Sequence, residues 1–143
     1  MMKKIVTLSL MVLVCMAFAR SDFLPVELSK VTSGEQGKQK LRGVQFFMKG
    51  AAHPEVAVNM GDVHSSKKTR SFGREDDEAC EVALLSTLIA IEKKAKSLGA
   101  DAVIDIESYS RDQVSADSTK LECNVGSTVA NMAVRGTMVR LKK

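Results

Sequence analysis

The sequence has no tryptophan, one tyrosine and five phenylalanines, so aromatic side chains are scarce. Proteins that bind single-stranded nucleic acids stack the bases on grouped aromatic residues. The adjacent Phe46 and Phe47 lie in a strand-like stretch, where core packing accounts for them. Histidine is also rare, and His53 and His64 are eleven residues apart without a recognisable metal-ligand pattern. The composition therefore gives no support for a nucleic-acid partner.

Motifs of common enzymes are absent as well. The chain contains neither G-x-S-x-G nor H-E-x-x-H. Its segment 34–38 has two glycines and a lysine, as phosphate loops do. However, two residues separate the glycines, and Gln39 stands where a hydroxyl would have to bind magnesium. We expect no cofactor and no enzymatic activity, and in particular neither nucleotide hydrolysis nor DNA repair.

A single long apolar run occurs in the sequence, at the N-terminus. Lys3 and Lys4 precede the apolar residues 5–18, and Ala17-Phe18-Ala19 is a small-x-small site, as in a secretory signal peptide. The run is shorter than the roughly 20 residues that a membrane helix requires. We expect cleavage after Ala19, a single domain over 20–143 without a transmembrane segment, and a periplasmic or secreted location.

Two alternatives to cleavage stay open. The apolar run can be retained as an anchor, or the chain can be a lipoprotein attached at Cys15, although Val14 stands where lipoprotein signals usually carry a small residue. Removal of the signal would lower the net charge from +4 to +2, because Lys3 and Lys4 leave with it. The basic charge of the precursor is thus a weak argument for nucleic-acid binding.

Two cysteines remain after cleavage, Cys80 and Cys123. An even pair in an exported protein predicts a disulfide. Cys80 lies on the apolar side of a predicted helix, and Cys123 shares a strand face with Leu121 and Val125. Both therefore point towards one core. Two reduced buried cysteines are the alternative, whereas a redox-active pair is disfavoured because there is no C-x-x-C.

The stretch from Asp76 to Tyr109 predicts a long helix, a glycine stop and a strand. Acidic residues open the helix, lysines close it and Gly99 suits the position just beyond its last turn. Helical spacing places these residues on one face: Cys80, Leu84, Leu88, Ile91, Ala95 and Leu98. In the strand, Ala102, Ile104 and Ile106 are expected on one face, with Asp105 and Glu107 on the other.

The other segments complete an α+β fold. We predict strands over 43–49, 120–125 and 129–141, with 120–125 forming a hairpin with 102–109, and a short helix over 25–31. Residues 50–73 are the least regular part and include a basic loop over 65–71. The prediction is one long helix packed on a mainly antiparallel sheet of about four strands, with one disulfide.

Three groups of residues are candidates for binding. The first is Lys67, Lys68 and Arg70, which form either an anion-binding patch or a solvated loop. The second is the carboxylate pair of Asp105 and Glu107, which either binds a cation or belongs to a polar outer sheet face. The third combines His53, His64 and Asp62 as metal ligands, although their spacing matches no known ligand pattern.

Three sequence segments also carry a resemblance. Residues 77–80 (DEAC), 98–102 (LGADA) and 122–126 (ECNVG) resemble a group of small exported bacterial proteins, many of which carry the label "excinuclease ATPase subunit". The Walker and zinc motifs of excinuclease ATPases are missing from this chain. More distantly, the same segments are similar to the C-terminal domain of the Rcs stress-sensor lipoprotein and to a small oligomeric domain family named for heavy-metal binding. The resemblance implies the helix–strand order and disulfide-bonded cysteines.

These observations favour one functional class over another. We expect a small, exported, non-enzymatic envelope protein that acts as an interaction module with another envelope protein, and the sequence leaves oligomerisation open. The alternative is a periplasmic protein that binds a ligand or a divalent metal.

Overall fold

A computed structural model describes residues 21–110, 113–114 and 120–143. The predicted signal peptide 1–19 and its cleavage site at Ala19 lie outside the described residues. The described chain forms three helices, α1 (Leu28–Thr32), α2 (Glu35–Lys40) and α3 (Asp76–Ser97). Its strands are β1 (Ser21–Glu27), β2 (Gln45–Met48), β3 (Val56–Arg70), β4 (Ala102–Ser110), β5 (Gln113–Val114), β6 (Lys120–Gly126) and β7 (Val129–Leu141). None of the described helices combines the length and apolarity needed to cross a membrane.

Strand β7 is the hub of a curled, mixed sheet of six strands. It pairs antiparallel with β3, β4 and β6, while β1 adds to β6 and β2 adds in parallel to β4. The two-residue β5 pairs with the end of β4. The predicted α+β class is therefore confirmed. The prediction of about four strands was too low, because β1 and β3 were not recognised as strands of the sheet.

The sheet forks along β7. Strand β3 occupies the whole of one edge of β7, so β6 and β4 must share the other, at residues 130–132 and 134–139 respectively. The change of partner occurs at Ala133. The backbone N–H of Glu122 on β6 donates to Ser108 Oγ on β4 (2.7 Å), which joins the two strands where they diverge.

Helix α3 covers one face of this sheet. As predicted, its first turn is acidic, its last turn is basic, and Gly99 follows in the left-handed conformation (φ 79°). The predicted apolar face is buried at five of its six positions, whereas Leu98 is 43% exposed at the helix end. The predicted disulfide is present: Cys80 of α3 is bonded to Cys123 of β6, with their Cα atoms 5.8 Å apart.

Strand β4 contains one extra residue. Ile104 lies opposite Thr137 and Glu107 opposite Arg135, so three steps along β4 match two along β7. Asp105 absorbs the difference with a positive φ of 54°, which Asp tolerates better than most residues. The bulge changes which residues of β4 point to the helix side of the sheet. Ile106 therefore joins the main core beneath α3, while Ala102 and Ile104 form a smaller cluster with Val139.

Three local predictions were wrong because they considered short-range signals alone. Residues 25–27 continue β1, and the helix begins at Leu28, because β1 gains a ladder with β6 that the sequence does not reveal. Residues 56–70, predicted to be largely irregular, form one long strand along β7. Finally, β6 pairs with β1 and β7, so it is not a hairpin partner of β4.

A buried carboxylate ties α3 to the loop before β2. Glu92 is 5% exposed and accepts the backbone N–H groups of Arg42 (2.7 Å) and Val44 (3.4 Å). Lys96 Nζ lies 3.8 Å from the same carboxylate. The side chain thus satisfies two main-chain donors that have left regular structure.

Replacing Glu92 by alanine is expected to lower the free energy of unfolding by about 2 kcal/mol, because two donors lose their acceptor. Glu92→Gln keeps one acceptor oxygen and should cost less. Urea denaturation of the two variants and the parent protein measures the difference. Equal stability of all three proteins would show that the carboxylate does not fasten this loop.

Candidate functional site

The sheet has a second face, which α3 does not cover. Residues directly opposite each other in an antiparallel pair share a face, and the even-numbered residues of β7 from Ala130 to Met138 point to the helix side. The odd-numbered residues 131–137 and their neighbours therefore face the other way. We call this surface the open face. Its three central cross-strand rows are Lys68, Asn131 and Asn124; Ser66 and Ala133; and His64, Arg135 and Glu107.

Two depressions meet on the open face. The first, the polar groove, has a volume of about 650 Å³ and is lined by Phe23, Ser66, Lys68, Ser108, Tyr109, Glu122, Asn124, Asn131 and Ala133. The second, the charged depression, has a volume of about 470 Å³ and is lined by Lys49, Asp62, Val63, His64, Asp105, Glu107, Tyr109, Arg135, Gly136 and Thr137. Tyr109 belongs to both. The two depressions therefore form one continuous surface with an aromatic ring at its centre.

A buried ion-pair network holds the charged depression together. Glu107 is 7% exposed, and its Oε1 accepts from Arg135 Nε (2.6 Å) and lies 2.6 Å from Arg135 Nη2. Its Oε2 lies 3.3 Å from Lys49 Nζ. Two cations thus compensate one buried carboxylate, as a charge inside a protein requires. The network fixes the direction of the Arg135 side chain.

Arg135 in turn supports Tyr109. The guanidinium carbon lies 5.5 Å from the centre of the Tyr109 ring, within the range of a cation–π contact. The ring of His64 also lies near, with its centre 6.0 Å from that of Tyr109. Tyr109 nevertheless remains 43% exposed. The ring is therefore held in place by its neighbours while much of its surface stays accessible.

The structure brings together some of the sequence-predicted residues and separates others. Asp62, His64, Asp105 and Glu107 all line the charged depression. However, Glu107 is buried rather than exposed as predicted, because Arg135 and Lys49 pack against its carboxylate on the open face. His53 lies elsewhere, with its ring 5.8 Å from that of Phe47. Within residues 21–110, 113–114 and 120–143, no three His, Cys, Asp or Glu side chains form a group that could hold a metal ion.

The three predicted basic residues are divided by the alternation of β3. Lys68 and Arg70 lie opposite Asn131 and Val129, on the open face, whereas Lys67 lies opposite Met132 and belongs to the helix side. The basic loop of the sequence prediction is thus part of a strand. Only Lys68 of the three lines the polar groove.

Sequence reasoning did not identify Tyr109, Lys49 or Asn124 as parts of the site. Asn131 and Arg135 occupy odd-numbered positions of β7, which point away from the helix side. What was missing was the register between strands, which decides which outward side chains are neighbours. Tyr109, the single tyrosine of the chain, would have been a signal, since an exposed aromatic residue beside charged residues favours a binding role.

The open face is equipped for non-covalent recognition. It offers amide donors and acceptors from Asn124 and Asn131. Ser66, in the adjacent row, donates from its Oγ to Asn131 Oδ1 (3.1 Å). It adds cations and carboxylates around Tyr109, and the 60% exposed ring of Phe23 at the far end of the groove. Side chains of both charges alternate with amides and hydroxyls. Such a mixture matches the surface of another polypeptide better than it matches an apolar ligand.

Comparisons with other proteins find a distant structural similarity. No family model matches the chain, and no curated protein matches it either. Among solved structures, similarity is found to a protein of unknown function from Pediococcus pentosaceus ATCC 25745 that belongs to the DUF74 family. The TM-score is 0.48 and the sequence identity 13%, with 71% of this chain and 100% of that chain covered. A likeness of this strength carries no argument about function.

Proposed function

We propose that this chain is an exported, non-enzymatic interaction protein of the cell envelope that binds another protein through its open face. The observation that carries the proposal is the central Tyr109, partly exposed between two depressions and held by Arg135 and His64. Tyrosine and arginine are enriched among residues that dominate the binding energy of protein interfaces. Rigid placement before binding reduces the entropy lost on association.

The disulfide supports the exported location. Disulfides persist in oxidising compartments and are rare in the cytosol. The bond between Cys80 and Cys123 joins the helix to the sheet inside the core, where both residues are fully buried. A periplasmic or secreted location is consistent with such a structural bond and with the N-terminal sequence 1–19.

The charges of the open face support a polar partner surface. Lys68 and Glu122 stand across the polar groove, and Asp62 and Asp105 lie beside Arg135 in the charged depression. Alternating signs of charge select a partner with the complementary pattern and disfavour a uniformly charged polymer such as a nucleic acid.

A photoreactive side chain at Ala133 tests this proposal. Ala133 lies at the centre of the open face, half-buried in the polar groove, and its methyl group makes no polar contact that would be lost. Incorporation of benzoylphenylalanine there, followed by irradiation of living cells, is expected to give one discrete adduct. The matched control places the same group at Lys93, an exposed position on α3.

A second substitution makes the result specific. Tyr109→Ala on the Ala133 background is expected to reduce the adduct about tenfold or more, since loss of a central aromatic residue typically costs 2 kcal/mol of binding or more. The melting temperature should change little, because Tyr109 is partly exposed. Equal crosslinking from Ala133 and Lys93, or no effect of Tyr109→Ala, would refute binding through the open face.

A further inference from the structure

One edge of strand β3 pairs with no strand within residues 21–110, 113–114 and 120–143. Among the described residues, β7 is the one strand that pairs with β3, and it does so along a single side. The opposite edge carries a row of backbone N–H and C=O groups that can pair with another strand. Most side chains of β3 are exposed, in agreement with an edge position.

The regular part of this edge is long enough for recognition. Asp62–Arg70 stay in unbroken register with β7 from Thr137 to Val129, which makes nine residues and about 30 Å of straight strand. The segment contains no proline, and the irregularity of β3 lies before it, between Asn59 and Asp62. Proline and a β-bulge, two features that commonly keep an edge strand from pairing with another chain, are therefore absent from Asp62–Arg70.

The two ends of the segment carry opposite charges. Its first residue is acidic and its last basic, and both Asp62 and Arg70 are exposed. When two copies of the segment run antiparallel with full overlap, residue numbers facing each other add up to 132. Asp62 of each copy then faces Arg70 of the other, and Ser66 faces its own counterpart on the two-fold axis.

We infer that Asp62–Arg70 of two copies of this chain pair edge to edge to form a two-fold symmetric dimer. The pairing extends each six-stranded sheet into one continuous sheet across the dimer. Residues of equal parity face each other in this register, so the open faces of both copies lie on the same side of the joint sheet. Two Asp–Arg contacts, one at each end, select the fully overlapping register over shifted ones. The interaction is isologous, as in most homodimers.

Cysteine scanning along the edge tests this register in the protein purified after expression of the full chain. In antiparallel strands, facing Cα atoms are about 4.5–5.5 Å apart, a separation that a disulfide can span. Ser66→Cys is expected to form a covalent dimer under mild oxidation. Ser65→Cys and Lys67→Cys, which face each other's positions instead of their own, are expected to stay largely monomeric on non-reducing gels.

Charge exchange tests the same contact without a crosslink. Asp62→Arg and Arg70→Asp are each expected to weaken the dimer at least tenfold in sedimentation equilibrium, since each places like charges opposite one another. The double variant should restore it. A monomeric parent protein, a crosslink at position 65 or 67 instead of 66, or a double variant no better than the single ones would overturn the proposal. Ala133 lies opposite Ser66, one strand away from this edge. A photoadduct between two copies has twice the mass of the chain, which distinguishes this dimer from an adduct with a different protein.

Discussion

Loss of the disulfide between Cys80 and Cys123 is expected to lower the free energy of unfolding by about 4 kcal/mol. The bond closes a loop across a sequence separation of 43 residues, and its removal releases the unfolded chain from that restraint. The double variant Cys80→Ala/Cys123→Ala should therefore melt about 15 °C below the parent protein. Differential scanning calorimetry measures the shift.

Reductant provides the matched control for the disulfide. Treatment of the parent protein with dithiothreitol should lower its melting temperature by a similar amount, whereas the double alanine variant should not respond. Mass spectrometry with thiol labelling should find no free thiol in Cys80 or Cys123 before reduction. Two labelled thiols in the untreated protein, or equal melting of parent and variant, would contradict a stabilising bond.

Replacement of Gly136 by valine is expected to lower the free energy of unfolding by about 3 kcal/mol. Gly136 lies on the helix side of β7, and a Cβ atom added there would lie 2.7 Å from Val103 Cγ1 and 3.0 Å from the backbone oxygen of Ile104. Both neighbours belong to β4 beside its bulge. Insertion of a larger side chain into such a space forces backbone shifts, which typically cost 1–3 kcal/mol and occasionally more.

Ala133→Val is the control for this substitution. It adds the same type of side chain to the same strand, but on the open face, where the polar groove leaves room. Its stability should lie within about 0.5 kcal/mol of the parent protein in urea denaturation. Similar losses for both variants would show that the close approach of β4 to Gly136 is not what limits this position.

The sequence predicted the parts of the fold that depend on local periodicity. The helix Asp76–Ser97 and the strand β7 each repeat their apolar residues over many positions, so the spacing alone identifies them. The disulfide was predictable because Cys80 and Cys123 both fell on apolar faces. Each of these features can be predicted because its signal comes from residues that are close together in the chain.

Local signals in the sequence do not reveal which distant strands pair with each other. Strand β3 is exposed on an edge and carries hydroxyl groups and lysines, so it lacks the alternation that marks a half-buried strand. The bulge at Asp105 changes which residues of β4 share a face. It was not predicted, because nothing in the sequence marks Asp105 as a residue with a positive φ. The candidate site combines β3, β4, β6 and β7, and its neighbours could be identified only once the register was known.

The position of β7 in the chain has a consequence for the order of folding. Strand β7 follows β3, β4 and β6 and pairs with all three, so their ladders with β7 wait until the segment Val129–Leu141 has been synthesised. The ladder of β1 with β6 is also distant: Ser21 pairs with Gly126 and Glu27 with Lys120, at separations of 105 and 93 residues. Chains dominated by such distant contacts fold slowly. The nascent chain would therefore remain open during most of its synthesis, in the state in which a polypeptide can be threaded across a membrane.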